Sequence, residues 1–144
     1  MTAPITVYRA SDVRTVDLPY YVRADGELVV AEASAHVPYA IARMFTIRAP
    51  LGAIRGDHVH QRCWQFLLCV HGAVDVICDD SQDQRIFSLD RSNFGLLIPP
   101  TIWGSEIFRT NHAVLVVLCD RPFQEEDYIR EYPDFLAFRK SIDS

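Results

Sequence analysis

No stretch of this chain is dense in lysine or arginine, and its net charge is −5. An extended nucleic-acid or anionic-membrane surface needs a basic patch, so neither partner is expected. A phosphorylated ligand then has to be held by a few placed arginines. No apolar run reaches the ~20 residues that cross a bilayer, and the opening MTAPITVYRASD lacks the basic start and apolar stretch of a secretory signal. Cys63, Cys69, Cys78 and Cys119 show no CxxC spacing, and three of them sit in apolar runs. Buried free thiols in a reducing compartment are therefore expected, which makes the cytoplasm the expected location. Repeats, low-complexity tracts and linkers are missing too, so residues 1–144 read as one domain.

What is present is a soluble globular composition, 49% hydrophobic and 23% charged. A chain of this length buries a sizeable core without staples. Short β-rich runs such as ITVYRA, ELVVAEA, IARMFTI, WQFLLCV, AVDVICD, FGLLIP and AVLVVLC alternate with turn signals at Asp25-Gly26, Leu51-Gly52, His71-Gly72 and Asp79-Asp80. That rhythm predicts an all-β sandwich or barrel, with its core over about residues 24–120. Helical spacing emerges only in a tail over about residues 123–142, where Pro133 is expected to divide two short helices.

The stretch IRGDHVHQRCWQFLLCVHGAVDV holds three of the five histidines. In an extended strand residues i and i+2 share a face, with Cα atoms roughly 6.5 Å apart. His58 and His60 thus point into one space while Val59 points away. Each ring nitrogen needs a partner if buried, and the two rings together resist a second positive charge. Imidazoles suit proton transfer at neutral pH; solvated strand histidines are the plainer alternative. His36, His71 and His112 fall at turns and read as surface groups.

The same stretch resembles the first motif of the cupins: glycine, HxH, a carboxylate some residues on, another glycine. Metal-binding cupins add a histidine from a later strand. Here Gln65 stands at the carboxylate position, the later motif reads PPTIWGSEIF, and no histidine occurs between His71 and His112. Two histidines, even with an oxygen from Glu106, make a weak ligand set. Neither a metal nor another cofactor is expected.

Read together, RGDHVHQRCWQFLLCVHGAVDVICDD resembles the sugar 3,4-ketoisomerases acting on dTDP-4-keto-6-deoxyhexoses, a metal-independent cupin branch. The shared features are Arg55, Gly56, His58, His60, Gln65, Gly72 and Asp79-Asp80, then Pro99, Pro100 and Trp103. Asp127, Tyr128, Ile129, Arg130, Tyr132 and Phe135 follow, and the similarity spans roughly residues 24 to 138. The resemblance implies a cupin-type jelly-roll β-barrel with a short C-terminal helical tail, acting as a homodimer with N-terminal strands exchanged. It implies moving the ketone from C4 to C3 through an enediol, a step toward 3-amino-dideoxysugars. His58 and His60 would be catalytic, one taking the C3 proton and the other passing protons between O3 and O4. Substrate contacts would come from Arg55, Arg43, Gln65, Trp103, Thr46 and Glu106. Arg55 is an odd step from His58, so it reaches the ligand only if Gly56 permits a bulge. Trp103 either stacks on the ligand or plugs the barrel, Glu106 is a second acid/base or solvated, and Tyr128, Ile129 and Tyr132 dock the tail.

The chain departs from that family at Met44-Phe45-Thr46, where a tyrosine is common, and Thr46 is the available replacement hydroxyl. Gln61 stands where lysine is frequent, and Gly104-Ser105 put no imidazole or acid directly after Trp103. Both histidines are spared, while the C4 stereochemistry and the nucleotide base stay open. Two other readings remain: an epimerase acting beside the ketone, and a non-catalytic sugar-nucleotide binder. An epimerase leaves the ketone in place, and a binder does not exchange the C3 proton with solvent.

Overall fold

The structure, a computed structural model, describes residues 3–143. Its strands are β1 (Arg14–Asp17), β2 (Tyr20–Arg23), β3 (Gly26–Val29), β4 (Arg43–Ala49), β5 (Ile54–His60), β6 (Gln65–His71), β7 (Val74–Asp79), β8 (Gln84–Leu89), β9 (Phe94–Ile98), β10 (Trp103–Phe108), β11 (Ala113–Cys119) and β12 (Tyr128–Ile129), followed by helix α1 (Tyr132–Ile142). One sheet runs β1-β9-β6-β11-β4 and the other β12-β5-β10-β7-β8, while β2 and β3 form a separate hairpin. The sheets pack face to face as the expected jelly roll, without hydrogen bonds closing them into a continuous barrel.

Strand pleating explains which residues fill the space between the sheets. Leu67, Cys69, Leu115 and Val117 from the first sheet meet Val74, Val76, Cys78 and Phe108 from the second in one buried cluster. The opposite face of the first sheet is covered as well: Phe66, Leu68 and Leu97 pack with Leu18 and Val37 of the N-terminal segment. Covering both faces is why β6 reads as the unbroken apolar run FLLC, all four residues buried, rather than an alternation. All four cysteines are buried free thiols.

The tail differs from its sequence expectation. Glu125–Asp127 form a 3-10 turn, β12 follows, and Pro133 starts the single helix α1 instead of dividing two. In the first helical turn its missing N–H removes no hydrogen bond, and its fixed φ suits the helix. Phe135 then packs on Val59 and Trp103, sealing the outer face of the second sheet. Buried Arg139 donates to the carbonyls of Tyr8 (2.7 Å) and Thr101 (2.8 Å), locking α1 to the N-terminal segment.

One irregularity positions the site. In the β5–β10 ladder Gly104 opposes His58, but Ser105 opposes Gly56 and Glu106 opposes Arg55, so Asp57 is an extra residue. Gly56 (φ 80°) and Asp57 (φ 57°) both adopt the left-handed conformation this bulge needs. The bulge reverses the pleat's parity. Arg55 therefore faces the same side as His58.

Candidate functional site

His60 is buried, with Nδ1 3.0 Å from Asp127 Oδ2. Asp127 also accepts the backbone N–H groups of Arg62 (2.8 Å) and Cys63 (3.2 Å). Burial opposes its charge, but the His60 interaction and these backbone donors outweigh it and hold its carboxyl below the ordinary range. An ionised Asp127 has only acceptors, so Nδ1 of His60 donates to it, which makes Nε2 the acceptor nitrogen of the neutral ring. That Nε2 is buried with no hydrogen-bond partner among the described residues. A buried nitrogen left unpaired is costly, and here it is oriented for an incoming proton.

His58 stands edge-on to His60, ring centroids 4.9 Å apart at 87°. Tyr128, on the short strand paired to His60, packs against both rings at 5.0 and 4.3 Å. Burial, then the neighbouring His60, pushes His58 down to about 4, against a hydrogen bond to the Gly56 backbone. At neutral pH both the geometry and the desolvation favour an uncharged His58.

Glu106 lies on the same inner face, two residues along β10 from Gly104 and opposite Arg55. Its Oε2 is buried without a partner among the described residues. Burial, then Asp57, raises its carboxyl to about 7, while Arg55 pulls the other way. Expected as a mouth residue that could be solvated, it is instead turned inward.

Two further candidates face inward from the opposite sheet. Cys119 is the ladder partner of both Arg43 and Gln65, placing the three in a row across β4, β11 and β6. The Arg43 guanidinium sits over Phe45 at 4.7 Å and Phe123 at 5.1 Å from the ring centroids. Thr46 and Trp103 do not join them. Thr46 is exposed on the outer face of β4, because Arg43, Phe45 and Ile47 take the inward positions of the pleat. Trp103 pairs with Val59 and packs under α1 with its ring 5.3 Å from Tyr132 and 5.6 Å from Phe135. In this structure Trp103 fills the helix–sheet interface and Thr46 points away from the histidines.

Sequence reasoning had given Asp127 and Tyr128 no role in the site. Their places depend on β12 pairing with β5, a contact that no local pattern announces. The usable signal was chemical: a histidine pair needs an orienting carboxylate, and an Asp-Tyr step opens the tail signature. Among the described residues His60, Cys63 and Asp127 also place three potential ligand atoms within 4.8 Å of one another. The Asp127 oxygens are already engaged by an imidazole and two backbone donors, so the group reads as a hydrogen-bonded dyad. A cleft of about 560 Å³ lined by Tyr20, Glu27, His71 and Asp90 contains none of the candidate residues. Among the described residues the buried unpartnered side-chain atoms belong to Arg9, His60 and Glu106; none of these lines that cleft, and two of them belong to the inner-face site.

A family model described as FdtA: WxcM-like, C-terminal matches residues 11–140. The TDP-4-oxo-6-deoxy-alpha-D-glucose-3,4-oxoisomerase of Aneurinibacillus thermoaerophilus is 29% identical over 130 residues, covering 90% of this chain and 94% of that protein. A 3,4-ketoisomerase structure from Helicobacter canadensis matches with TM-score 0.86 and 26% identity, over 90% of this chain and 98% of its own. A sugar 3,4-ketoisomerase from Thermoanaerobacterium thermosaccharolyticum, in complex with TDP, matches with TM-score 0.86 and 27% identity, over 90% and 96% of the two chains.

Proposed function

Because the chain belongs to the FdtA family, WxcM-like, C-terminal, we propose that it is a sugar 3,4-ketoisomerase acting on a dTDP-4-keto-6-deoxyhexose. The observation that carries this reading is the His60–Asp127 pair, which leaves a buried Nε2, unpartnered among the described residues, beside the uncharged imidazole of His58. The C3–H bond of a 4-keto sugar is acidic because the adjacent ketone accepts the electrons. His60 takes that proton, giving an enediol, and later returns a proton to C4. His58, on the same face, handles protons on the oxygen side. These roles use each ring in the protonation state its surroundings support.

Arg55 and Arg43 face the same interior from different sheets. They are suited to the diphosphate, whose oxygens a guanidinium meets with paired hydrogen bonds. Gln65 offers an amide to a sugar hydroxyl. The same proposal includes a homodimer, supported by the apolar side chains that the β2–β3 hairpin exposes, with Tyr21 57%, Val22 63% and Leu28 59% accessible. A cytoplasmic setting is supported by the four free thiols. Among the described residues no helix is long and apolar enough to cross a membrane.

The test is incubation with dTDP-4-keto-6-deoxyglucose in D₂O, followed by NMR of the sugar. The expected result is a ketone moved to C3 with solvent deuterium at C4. A ketone that stays at C4 while a neighbouring centre inverts would mean epimerisation. Bound ligand with no deuterium exchange would mean a binding protein.

A further inference from the structure

The proposed isomerisation begins with a need for an acid stronger than a neutral imidazole. His60 has given its N–H to Asp127, and His58 is held uncharged. As C3 loses its proton, negative charge grows on O4, and an acid has to meet it there. Tyr128 lies close by, but its ring is wedged against both imidazoles with the Arg130 guanidinium 4.2 Å over its face, the place of a buttress.

The inner face offers another group. Glu106 is two residues from Gly104, whose ladder partner is His58. Among the described residues, its own chain neighbours aside, a Cβ added to Gly104 would meet no heavy atom within 4 Å, so the inner face is open beside that carboxyl. Gly56 is shaped to admit the carboxyl, since a Cβ there would fall 1.9 Å from Glu106 Oε2. The oxygen so admitted has no partner among the described residues. Burying a carboxyl oxygen unpaired costs free energy unless a ligand group completes it.

We propose that Glu106 is a third catalytic residue, which in its neutral form hydrogen-bonds the C4 carbonyl oxygen of the keto sugar and protonates it as His60 removes the C3 proton. This rests on the ketoisomerase reading and deepens it. The C3–H bond breaks to His60, the C3–C4 double bond forms, and O4 gains the Glu106 proton. In the second half His60 returns its proton to C4, and the O3 proton passes by way of His58 to the Glu106 carboxylate. One C–H and one O–H bond are made and one of each broken, and every carrier ends as it began. No oxidant or reductant enters.

The charged and titratable groups coupled to Glu106 are Arg55 and Asp57 from β5 and Cys78 from β7. Burial, then Glu106 itself, raises Cys78 to about 12, so that thiol stays neutral. Burial and Asp57 raise Glu106 to about 7 against the pull of Arg55, which keeps a protonated fraction at neutral pH.

The test is kcat and KM against pH for the full chain and for Glu106→Gln, Glu106→Asp and Tyr128→Phe, with dTDP-4-keto-6-deoxyglucose as substrate. Wild-type kcat should fall as pH rises through the Glu106 titration. Glu106→Gln should lose about 10²–10⁴-fold in kcat, with KM changed only a few-fold, and lack that alkaline limb. Glu106→Asp should keep the limb at reduced kcat, which also serves if the glutamine variant does not fold. Tyr128→Phe should keep it too. A glutamine variant within about tenfold of wild type, a limb that survives in it, or a limb lost in Tyr128→Phe would each overturn the assignment. A wild-type protein that binds the sugar nucleotide yet never moves the ketone would sink the ketoisomerase reading and this inference together. An active wild type with an unaffected glutamine variant sinks only the inference.

Discussion

Replacing Glu106 with glutamine should turn a stability that is nearly independent of pH between about 4.5 and 6.5 into one that climbs with pH. Burial, with His60 beside it, lowers His58 from 6.5 to about 4. Burial, with Asp57 beside it, raises Glu106 from 4.5 to about 7. Below pH 6.5 the unfolded chain protonates this histidine and the folded one does not, so stability falls as pH drops toward about 4. Above pH 4.5 the unfolded chain ionises this glutamate while the fold keeps it neutral, so stability falls as pH rises toward about 7. Each displacement corresponds to about 3 kcal/mol. The two slopes oppose one another across their shared window. Asp80 and Asp127, whose carboxyls are held below the ordinary range, act only at more acid pH.

Thermal unfolding by circular dichroism at constant ionic strength reads this directly. Wild type should show little change in Tm across the window. Glu106→Gln should gain roughly 6–12 °C from its acid to its neutral end for a chain of this size. His58→Asn should lose a similar amount in the same direction of pH. Two flat profiles, or slopes of the same sign in the two variants, would refute the reasoning.

Asp127→Asn removes the acceptor that fixes the His60 tautomer, so kcat should fall about 10²–10⁴-fold. Combined with His60→Ala it should add almost nothing further, as expected of a residue acting through another. Gly56→Ala forces a side chain onto Glu106 Oε2 at φ 80°, and a loss of more than about 2 kcal/mol is expected in urea unfolding. Arg55→Ala should raise KM and weaken binding of the nucleotide alone in calorimetry, leaving kcat within about tenfold. Thr46→Val, on the outer face of β4, should change neither kcat nor KM beyond about twofold in steady-state assays.

How much of this was legible depended on whether a contact is local. The pairing of His58 with His60 on one face follows from the two-residue period of a strand, while HVH alone left open whether that face is buried or solvated. Arg55 needed one more cue, the glycine after it, and Gly56 supplied the bulge that restored its parity. The same rule applied to Arg43 and Thr46 shows that residues three apart on a regular strand take opposite faces, and β4 is regular along its β11 ladder. Trp103 and Glu106 obey it likewise on β10 against β7. Family resemblance pointed to all four as ligand contacts, and only the pleat separates them. Asp127 was beyond reach for a different reason: its hydrogen bond to His60 spans 67 residues, and tertiary pairing of two-residue β12 creates it. Pro133 was legible as a helix breaker but not as a helix starter, because the outcome depends on what precedes it.

The short strand β12 has a consequence for when the protein becomes an enzyme. Nine of the ten strands in the two sheets, and both imidazoles, precede residue 120. The carboxylate that tells His60 which nitrogen to protonate arrives only with the last stretch of the polypeptide, which Arg139 fastens to Tyr8 near the opposite terminus. A chain cut short before β12 would keep the cluster between the sheets, yet have no defined base. Turnover is thus a reporter of completed assembly, and a nick just before β12 should silence the protein before it unfolds the nine strands ahead of it.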